Sequence, residues 1–185
     1  MLIERTPLPG LLVLTPRVHR DERGFFAETY SRRAFAEAAG TDVEFVQDNH
    51  SHSARGVLRG LHYQLPPRAQ AKLVRVAAGE IFDVAVDLRR ASPTFGRWFG
   101  IRLSSALGNQ LWIPAGFAHG FLTLTDSADV LYKASEPYDP AAERSIAWDD
   151  PDIGISWPLD SAPILSARDC AAPPFAAAEV FGGPF

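Results

Sequence analysis

The chain has 185 residues, 46% of them hydrophobic, and a formal net charge of -4 at pH 7. This length and composition predict one compact domain, and the acidic balance argues against general attraction to nucleic acid or to an anionic membrane surface. The single cysteine, Cys170, has no second thiol for an internal disulfide or a two-cysteine metal site, which favours a reducing cytoplasm. No charged leader followed by an apolar run and no stretch of membrane-spanning length is present, so we expect a soluble, unexported protein.

Short β-rich runs separated by glycine, proline and charged turns extend from Arg55 to about Trp148. They lie at 72–76, 81–88, 110–113, 119–124 and 130–134, with turns expected at 79–80 and 125–127. This pattern predicts a mainly β protein built as an antiparallel β-barrel or jelly roll. In the run 81–88, Phe82, Val84 and Val86 alternate with the acidic Asp83 and Asp87, which predicts a strand with two unlike faces.

Helices are expected to be short and peripheral. One is predicted over 32–39, with Ser31 as its cap and Gly40 as its stop. After Asp160 the chain is rich in alanine and proline, which predicts few strands there. We therefore expect a single domain over 1–185, with a barrel core at about 45–150 and a covering tail at about 160–185.

The segment 56–64 carries the first candidate for chemistry, His62. A histidine can act as a general base near neutral pH, although on the residues alone a structural, hydrogen-bonded histidine is the favoured interpretation. Arg59 has the opposite strand parity from His62 and Gln64, so a bend is needed for the three side chains to converge.

The segment 108–121 has the glycine, proline and histidine spacing of the second cupin motif and ends in His119. This resemblance predicts a cupin-type barrel, and the less favoured alternative is a strand and turn that only shape the barrel, with His119 bonded to a neighbour. Cupins often bind a transition metal through two histidines and a glutamate of their first motif. Here Gln64 stands in place of the second histidine, so we predict no metal, against the alternative of a metal-dependent oxygenase.

Two further residues are expected to face the barrel interior. Lys72 shares strand parity with Val74 and Val76, so its ammonium either stabilises an enolate oxygen or reaches solvent at the rim. Tyr132 alternates with Val130, which allows either proton donation or plain aromatic packing. The Gly-x-Ser-x-Gly elbow, the phosphate loop and the dinucleotide fingerprint are missing from the sequence, which lowers the weight of hydrolase and nicotinamide-dependent functions.

A longer ordered series of motifs resembles the dTDP-4-dehydrorhamnose 3,5-epimerase family. The matching segments are 47–51, 56–64, 70–76, 79–89, 92–96, 111–114, 116–121, 132–133, Tyr138, 143–144, Trp148, 150–151, 157–158 and 165–169. They include the strings GLHYQ and IPAGFAHGF and cover roughly residues 5 to 170. Such a series is far more specific than any single histidine.

The resemblance implies a role for each matching residue. His62 corresponds to the family's proton-abstracting base, Asp169 to the carboxylate that orients it, Lys72 to the lysine near the sugar O4, and Tyr132 to the acid on the other face. The residues implied to bind the nucleotide sugar are Arg23, Glu28, Gln47, Asn49, Arg59, His119, Glu143 and Arg168, with Tyr138 stacking on thymine.

The implied function is epimerisation at C3 and C5 of dTDP-4-dehydro-6-deoxy-D-glucose without a cofactor, because both carbons flank the C4 ketone and their carbanions delocalise onto O4. The alternatives are an epimerase that acts on one carbon only, or a noncatalytic cupin that binds a sugar nucleotide. The family also implies a homodimer with amino-terminal strands crossing the interface. Neither nucleic acid nor a membrane is expected as a partner.

Overall fold

A computed structural model describes residues 1–183; Pro184 and Phe185, the end of the predicted covering tail, lie outside the described residues. The strands are β1 (Leu2–Arg5), β2 (Leu12–Thr15), β3 (Val18–Asp21), β4 (Gly24–Ala27), β5 (Gln47–Ala54), β6 (Leu58–Gln64), β7 (Lys72–Ala78), β8 (Glu80–Asp87), β9 (Trp98–Ser104), β10 (Gln110–Ile113), β11 (Phe117–Thr123), β12 (Ser127–Ala134) and β13 (Glu143–Ser145). The helices are α1 (Arg32–Ala39) and α2 (Ala167–Cys170), and a 3₁₀ turn spans Phe175–Ala177.

The strands form two packed sheets and a separate hairpin. The six-stranded sheet has the order β1-β2-β10-β7-β12-β5, the five-stranded sheet has the order β13-β6-β11-β8-β9, and β3 pairs with β4. The strand pairs within these sheets are antiparallel. The predicted mainly β, cupin-type antiparallel barrel with short peripheral helices is therefore confirmed.

The barrel interior is filled by the inward faces of both sheets. Val74 and Val76 of β7 pack in one cluster with Ile81 and Ala85 of β8, which belongs to the opposite sheet. Alternation along a strand then turns Lys72, two residues before Val74, towards the same interior. It also places Asp83 on the interior face, between Ile81 and Ala85.

Strand β8 is buried on both faces, because the carboxyl-terminal part of the chain covers its outer side. Val84 and Val86 pack there with Ile153 and Phe181. The two unlike faces predicted from the sequence thus exist, and the acidic face is the interior one. No strand is present from residue 146 to residue 183, a range that includes the segment after Asp160 in which few strands were predicted. The limits of the barrel core and of the tail stay a prediction.

Helix α1 covers the outer side of the six-stranded sheet. Phe35 is 1% exposed, and its ring centroid lies 4.9 Å from that of Trp112. The predicted bounds are confirmed, and Gly40 ends the helix at a φ of 68°. The predicted cap is correct only in position, because the side chain of Ser31 makes no capping hydrogen bond.

Two smaller corrections concern turns. Glu80 and Ser127, predicted as turn residues, are the first residues of β8 and β12. Gly79, the other residue of the first predicted turn, is where the chain reverses, and its φ of 79° favours glycine. Within residues 1–183 no helix combines the length and apolar composition that a membrane crossing requires.

Candidate active site

Two adjoining cavities of about 440 and 360 Å³ open between the two sheets. His62, Lys72 and Tyr132 line both of them, so these three side chains stand where the cavities meet. The predicted residues that line the first cavity only are Arg59, His119, Arg168 and Asp169. Those that line the second only are Gln47, Asn49, Tyr138 and Glu143.

A bulge in β6 brings Arg59 and His62 to the same cavity despite their opposite parity. His62 pairs with His119 and Arg59 pairs with Phe121, so three steps along β6 match two steps along β11. Gly60 lies within the bulge at a φ of 127°, and a Cβ there would come within 2.6 Å of the Gly120 backbone. The bend that the sequence required is thus a register shift that needs glycine at position 60.

The base candidate His62 is held by a buried carboxylate. Its Nε2 lies 2.6 Å from Oδ1 of Asp169, whose side chain is 3% exposed. Ser166 caps α2 by accepting the Asp169 N–H, and its hydroxyl donates to Oδ2 of Asp169 at 2.8 Å. Since a carboxylate only accepts, the ring proton lies on Nε2 and leaves the lone pair on Nδ1.

The electrostatics keep this carboxylate ionised. Burial raises the pKa of Asp169, but the hydrogen bonds from His62 and Ser166 outweigh burial and hold the pKa below its ordinary value. A negative charge beside Nε2 stabilises the imidazolium that forms when His62 takes a proton, so the arrangement suits a general base.

Lys72 and Tyr132 enter the cavity from the six-stranded sheet, opposite His62. The Lys72 Nζ lies 6.0 Å from the centroid of the Tyr132 ring. Burial lowers the pKa of Lys72 to about 8, although the Asp83 and Glu143 carboxylates act in the opposite direction. Burial also raises the pKa of the Tyr132 phenol, with Arg59 opposing it. Near neutral pH the site therefore presents an ammonium and a protonated phenol.

His119 belongs to a second histidine–aspartate pair. Its Nε2 lies 2.7 Å from Oδ1 of Asp83, and the two side chains are 8% and 0% exposed. The other carboxylate oxygen of Asp83 is buried without a hydrogen-bond partner among residues 1–183. The sequence predicted His119 as a site residue and Asp83 only as part of an acidic strand face, because alternation in 81–88 does not reveal which face is interior.

A polar cluster forms the rim of the second cavity. The Tyr138 hydroxyl donates to Oε2 of Glu143 at 2.5 Å, and Arg168 pairs with the same oxygen at 2.5 Å. Burial raises the pKa of Glu143, but Arg168 and Tyr138 outweigh it and leave the pKa lowered. The side chain of Gln47 bonds both Asn49 and the backbone N–H of Tyr138, which places all three at one rim.

Gln64 holds the loop that carries Tyr138 instead of facing a metal. Its Nε2 donates to the carbonyls of Arg68 and Pro137, at 2.7 and 3.2 Å, and its Oε1 accepts the N–H of Asp139 at 3.0 Å. Across residues 1–183, no three His, Cys, Asp or Glu side chains meet in a geometry suited to a metal ion. Both observations agree with the prediction of no metal, which stays a prediction.

Arg23 and Glu28 do not reach the cavity of their own chain. Arg23 lies at the turn of the β3–β4 hairpin, where its 85% exposed side chain pairs with Asp21 at 2.5 Å. Glu28 follows β4 and is exposed. Neither residue lines the two cavities.

Two polar residues of the first cavity, Ser51 and Ser166, were not among the predicted site residues. Ser51 lines the first cavity, and its hydroxyl is buried without a hydrogen-bond partner in the described part of the chain. Its signal was its shared parity with Gln47 and Asn49 on β5. Ser166 also lines that cavity, and its signal was a serine three residues before an aspartate, as at a helix start.

A double-sheet antiparallel barrel whose cavity carries a histidine–aspartate pair, a lysine and a tyrosine defines a cupin-type protein equipped for acid–base chemistry. The profile of the dTDP-4-dehydrorhamnose 3,5-epimerase family matches residues 5–177. The chain belongs to this family, as the motif series predicted, and is therefore an isomerase.

Individual relatives match over nearly the whole chain. It is 56% identical to the dTDP-4-dehydrorhamnose 3,5-epimerase of Pseudomonas aeruginosa, over 98% of this chain and 99% of that protein. The Legionella pneumophila dTDP-6-deoxy-D-glucose-3,5-epimerase, solved in complex with dTDP-4-keto-L-rhamnose, superimposes with a TM-score of 0.96 at 45% identity, over 100% and 99% of the two chains. A 3'-monoepimerase from Streptomyces bikiniensis, in complex with dTDP-quinovose, gives 0.88 at 40% identity, over 92% and 86%.

Proposed function

We propose that this chain, as one epimerase domain, converts dTDP-4-dehydro-6-deoxy-D-glucose to dTDP-4-dehydro-L-rhamnose by inverting C3 and C5 without a cofactor. The observation that carries the proposal is the placement of two proton-transfer groups on opposite walls of one cavity. His62 enters from the five-stranded sheet and Tyr132 from the six-stranded sheet. A sugar ring between them presents one face to each group, which is what inversion requires.

The proposed chemistry begins with proton abstraction next to the C4 ketone. Nδ1 of His62 takes the proton from C5 or C3, while Asp169 stabilises the imidazolium through the 2.6 Å bond to Nε2. The ammonium of Lys72 stabilises the negative charge that develops on O4. Tyr132 then donates its phenolic proton to the opposite face of the carbanion, which inverts the carbon. Proton exchange with solvent returns a proton to the Tyr132 phenolate and removes the one held by His62, so that both groups are ready for the second carbon.

Substrate recognition is proposed to use the cavity rim. Arg59 and Arg168 line the first cavity and supply guanidinium groups for a diphosphate. Tyr138, 54% exposed, offers a ring face on which thymine can stack, beside Gln47 and Asn49. His119 and Glu143 complete the binding set inherited from the family. The sugar then lies between His62 on one wall of the cavity and Tyr132 on the other.

The proposal is tested by proton NMR of the substrate with this protein in D₂O, following hydrogen loss at C3 and C5 separately. We expect exchange at both carbons and formation of the L-lyxo product. His62→Ala should keep nucleotide-sugar binding but lose at least about 10²-fold in exchange rate. His50→Ala is the matched control, because His50 is 58% exposed on the outer side of β5.

The alternatives correspond to distinct results of the same experiment. Exchange at only one carbon would identify a single-carbon epimerase. Binding without exchange at either carbon would identify a noncatalytic sugar-nucleotide-binding cupin. Normal exchange by His62→Ala would remove His62 as the base while leaving the reaction itself in place.

We further propose that the protein acts as a homodimer in the cytoplasm. The β3–β4 hairpin carries Phe25 and Phe26, which are 67% and 72% exposed, together with Arg23. Strand β1 is an exposed edge of the six-stranded sheet. These surfaces suit a second copy, into whose cavity Arg23 and Glu28 would extend. Cys170, exposed and free, suits a reducing compartment.

Mixing two inactive variants tests the shared site. Arg23→Ala and His62→Ala are expected to be weakly active as separate proteins. Co-expressed, they form a mixed dimer in which one site has both His62 and Arg23, so activity returns towards about one quarter of wild type by random assortment. No recovery in a demonstrated mixed dimer would place Arg23 outside the partner's site.

A further inference from the structure

The Asp83 carboxylate is buried inside the barrel, and only one of its two oxygens is hydrogen-bonded within residues 1–183. Its side chain is 0% exposed, and Oδ1 accepts from Nε2 of His119 at 2.7 Å. Oδ2 has no hydrogen-bond partner among residues 1–183. Burying a carboxylate in this way is costly unless a nearby positive charge compensates it, so its surroundings call for an explanation.

Lys72 is the cation in a matching position. It faces the interior from β7 in one sheet, and Asp83 faces the interior from β8 in the other. The Lys72 ammonium makes no hydrogen bond or ion pair with any of residues 1–183, and it lies 6.0 Å from the centroid of the Tyr132 ring. An ammonium and a carboxylate with an uncommitted oxygen thus stand in the same interior.

We propose that Asp83 is a positioning residue: its carboxylate holds the ring of His119 and supplies the negative charge that keeps the Lys72 ammonium protonated in the cavity. The first role follows from the hydrogen bond, and the second acts through space. The Asp83 charge is separate from the His62–Asp169 pair, because Asp169 is committed to His62 and Ser166. The kinetic test of this inference rests on the proposed epimerase function, whereas the titration of Lys72 does not.

The surrounding charges single out Asp83. The titratable and charged groups that line the cavities around Lys72 are Arg59, His62, Tyr63, His119, Tyr132, Tyr138, Glu143, Arg168 and Asp169. Burial lowers the pKa of Lys72 to about 8, and the carboxylates that counter it are Asp83 first and Glu143 second. Glu143 is already paired with Arg168 at 2.5 Å, which leaves Asp83 as the principal compensating charge.

The sequence makes a direct measurement feasible, because the chain has two lysines, Lys72 and Lys133. Lysine labelled with ¹³C at Cε gives two NMR signals, and Lys133→Arg assigns them. Lys133 is the internal reference, since its Nζ pairs with Asp48 on the outer side of the sheet at 2.6 Å. In wild type we expect Lys72 to titrate with a pKa of about 8.

Asp83→Asn removes the charge but keeps an oxygen that accepts from His119. We expect the titration midpoint of Lys72 to fall by about one pH unit or more, with Lys133 unchanged. Asp87→Asn is the matched control, because Asp87 is buried on the same face of β8 but is bound to Arg89, Ser92 and Thr94. It is expected to lower the thermal unfolding temperature without moving the Lys72 signal.

The kinetic arm measures kcat between pH 6.5 and 8.5. Activity that needs the ammonium is present below the pKa of Lys72 and lost as pH rises through it. Relative to wild type, Asp83→Asn should therefore lose on the order of five-fold more activity at pH 8.5 than at pH 6.5, with KM little changed. Asp83→Glu, which restores a carboxylate, is expected to move the basic limb back towards the wild-type position.

The Lys72 titration and the pH profile both test whether the Asp83 charge keeps Lys72 protonated. An unchanged Lys72 titration in Asp83→Asn would overturn the inference, and so would a lowered titration with an unchanged pH profile. If Asp83→Asn does not fold, wild type still decides, since a Lys72 midpoint below about pH 6 would show that no carboxylate sustains the charge. A wild-type protein that exchanges no carbon-bound hydrogen refutes the proposed function, whereas the lysine titration remains interpretable.

Discussion

Two histidine–aspartate pairs have histidines, His62 and His119, that line the same cavity and are cross-strand neighbours in the five-stranded sheet. Their hydrogen bonds are almost equal in length, 2.6 Å for His62–Asp169 and 2.7 Å for His119–Asp83. Their burial differs: the His62 side chain is 28% exposed and that of His119 is 8% exposed. The pair with the reachable imidazole suits proton transfer, and the sealed pair suits a fixed charge.

The two pairs also differ in where their carboxylates come from. Asp83 lies on β8, which is bonded to the strand of His119, so folding of the barrel alone brings the pair together. Asp169 lies on α2, 107 residues beyond His62 in the chain. The proposed base is therefore activated only when the carboxyl-terminal part of the chain docks. The barrel thus supplies the buried charge of Asp83, and the carboxyl-terminal part of the chain supplies Asp169, the partner of the proposed base.

Asp169→Asn is expected to have the largest effect on turnover, because it removes the charge beside His62. An amide beside His62 can donate to Nε2 and move the ring proton to Nδ1, which removes the lone pair that takes the substrate proton. We expect kcat to fall by about 10²- to 10⁴-fold, with binding of the sugar nucleotide retained. Turnover is measured by NMR at pH 6.5, where Asp83→Asn is expected to stay within about three-fold of wild type. Equal losses in the two variants would mean that both pairs transfer protons.

The sequence predicted the interior of the barrel well where alternation alone decides it. Lys72 and Tyr132 were placed inwards from their neighbours Val74 and Val130, and both line the cavity. Period-2 patterning is local, so it survives in a single sequence. The convergence of Arg59 and His62 could not be predicted from alternation, because a bulge changes the strand parity and its position depends on the partner strand.

The remaining features depend on parts of the chain far apart in sequence. Alternation in 81–88 revealed two faces, but burial of the apolar outer face depends on residues such as Ile153 and Phe181. The role of Asp169 came from family resemblance alone, since a contact across 107 residues has no local signature. At Ser31 the local sequence predicted a helix cap, but the Ser31 side chain makes no capping hydrogen bond.

Ser166→Ala is expected to have a smaller effect, because it removes one hydrogen bond to the Asp169 carboxylate but keeps the carboxylate itself. Ser166 donates to Oδ2 of Asp169 and accepts its backbone N–H, whereas Oδ2 of Asp83 has no hydrogen-bond partner within the described part of the chain. We expect a loss of about 1 kcal/mol in the free energy of unfolding at pH 7, typical of a lost helix cap, and a kcat reduced by about three- to ten-fold.

The pH dependence of that loss identifies its source. The pKa of Asp169 is lowered in the folded protein, so this carboxylate contributes stability above its unfolded value and loses it as pH falls through the folded value. Ser166→Ala removes one of the hydrogen bonds that lower the pKa, so its deficit in urea unfolding should be largest at pH 7 and shrink towards pH 3. Ser31→Ala is the control, since that cap position makes no side-chain hydrogen bond and should cost less than about 0.5 kcal/mol. A deficit that does not change with pH would assign the role of Ser166 to the backbone cap alone, with no part in holding the charge beside His62.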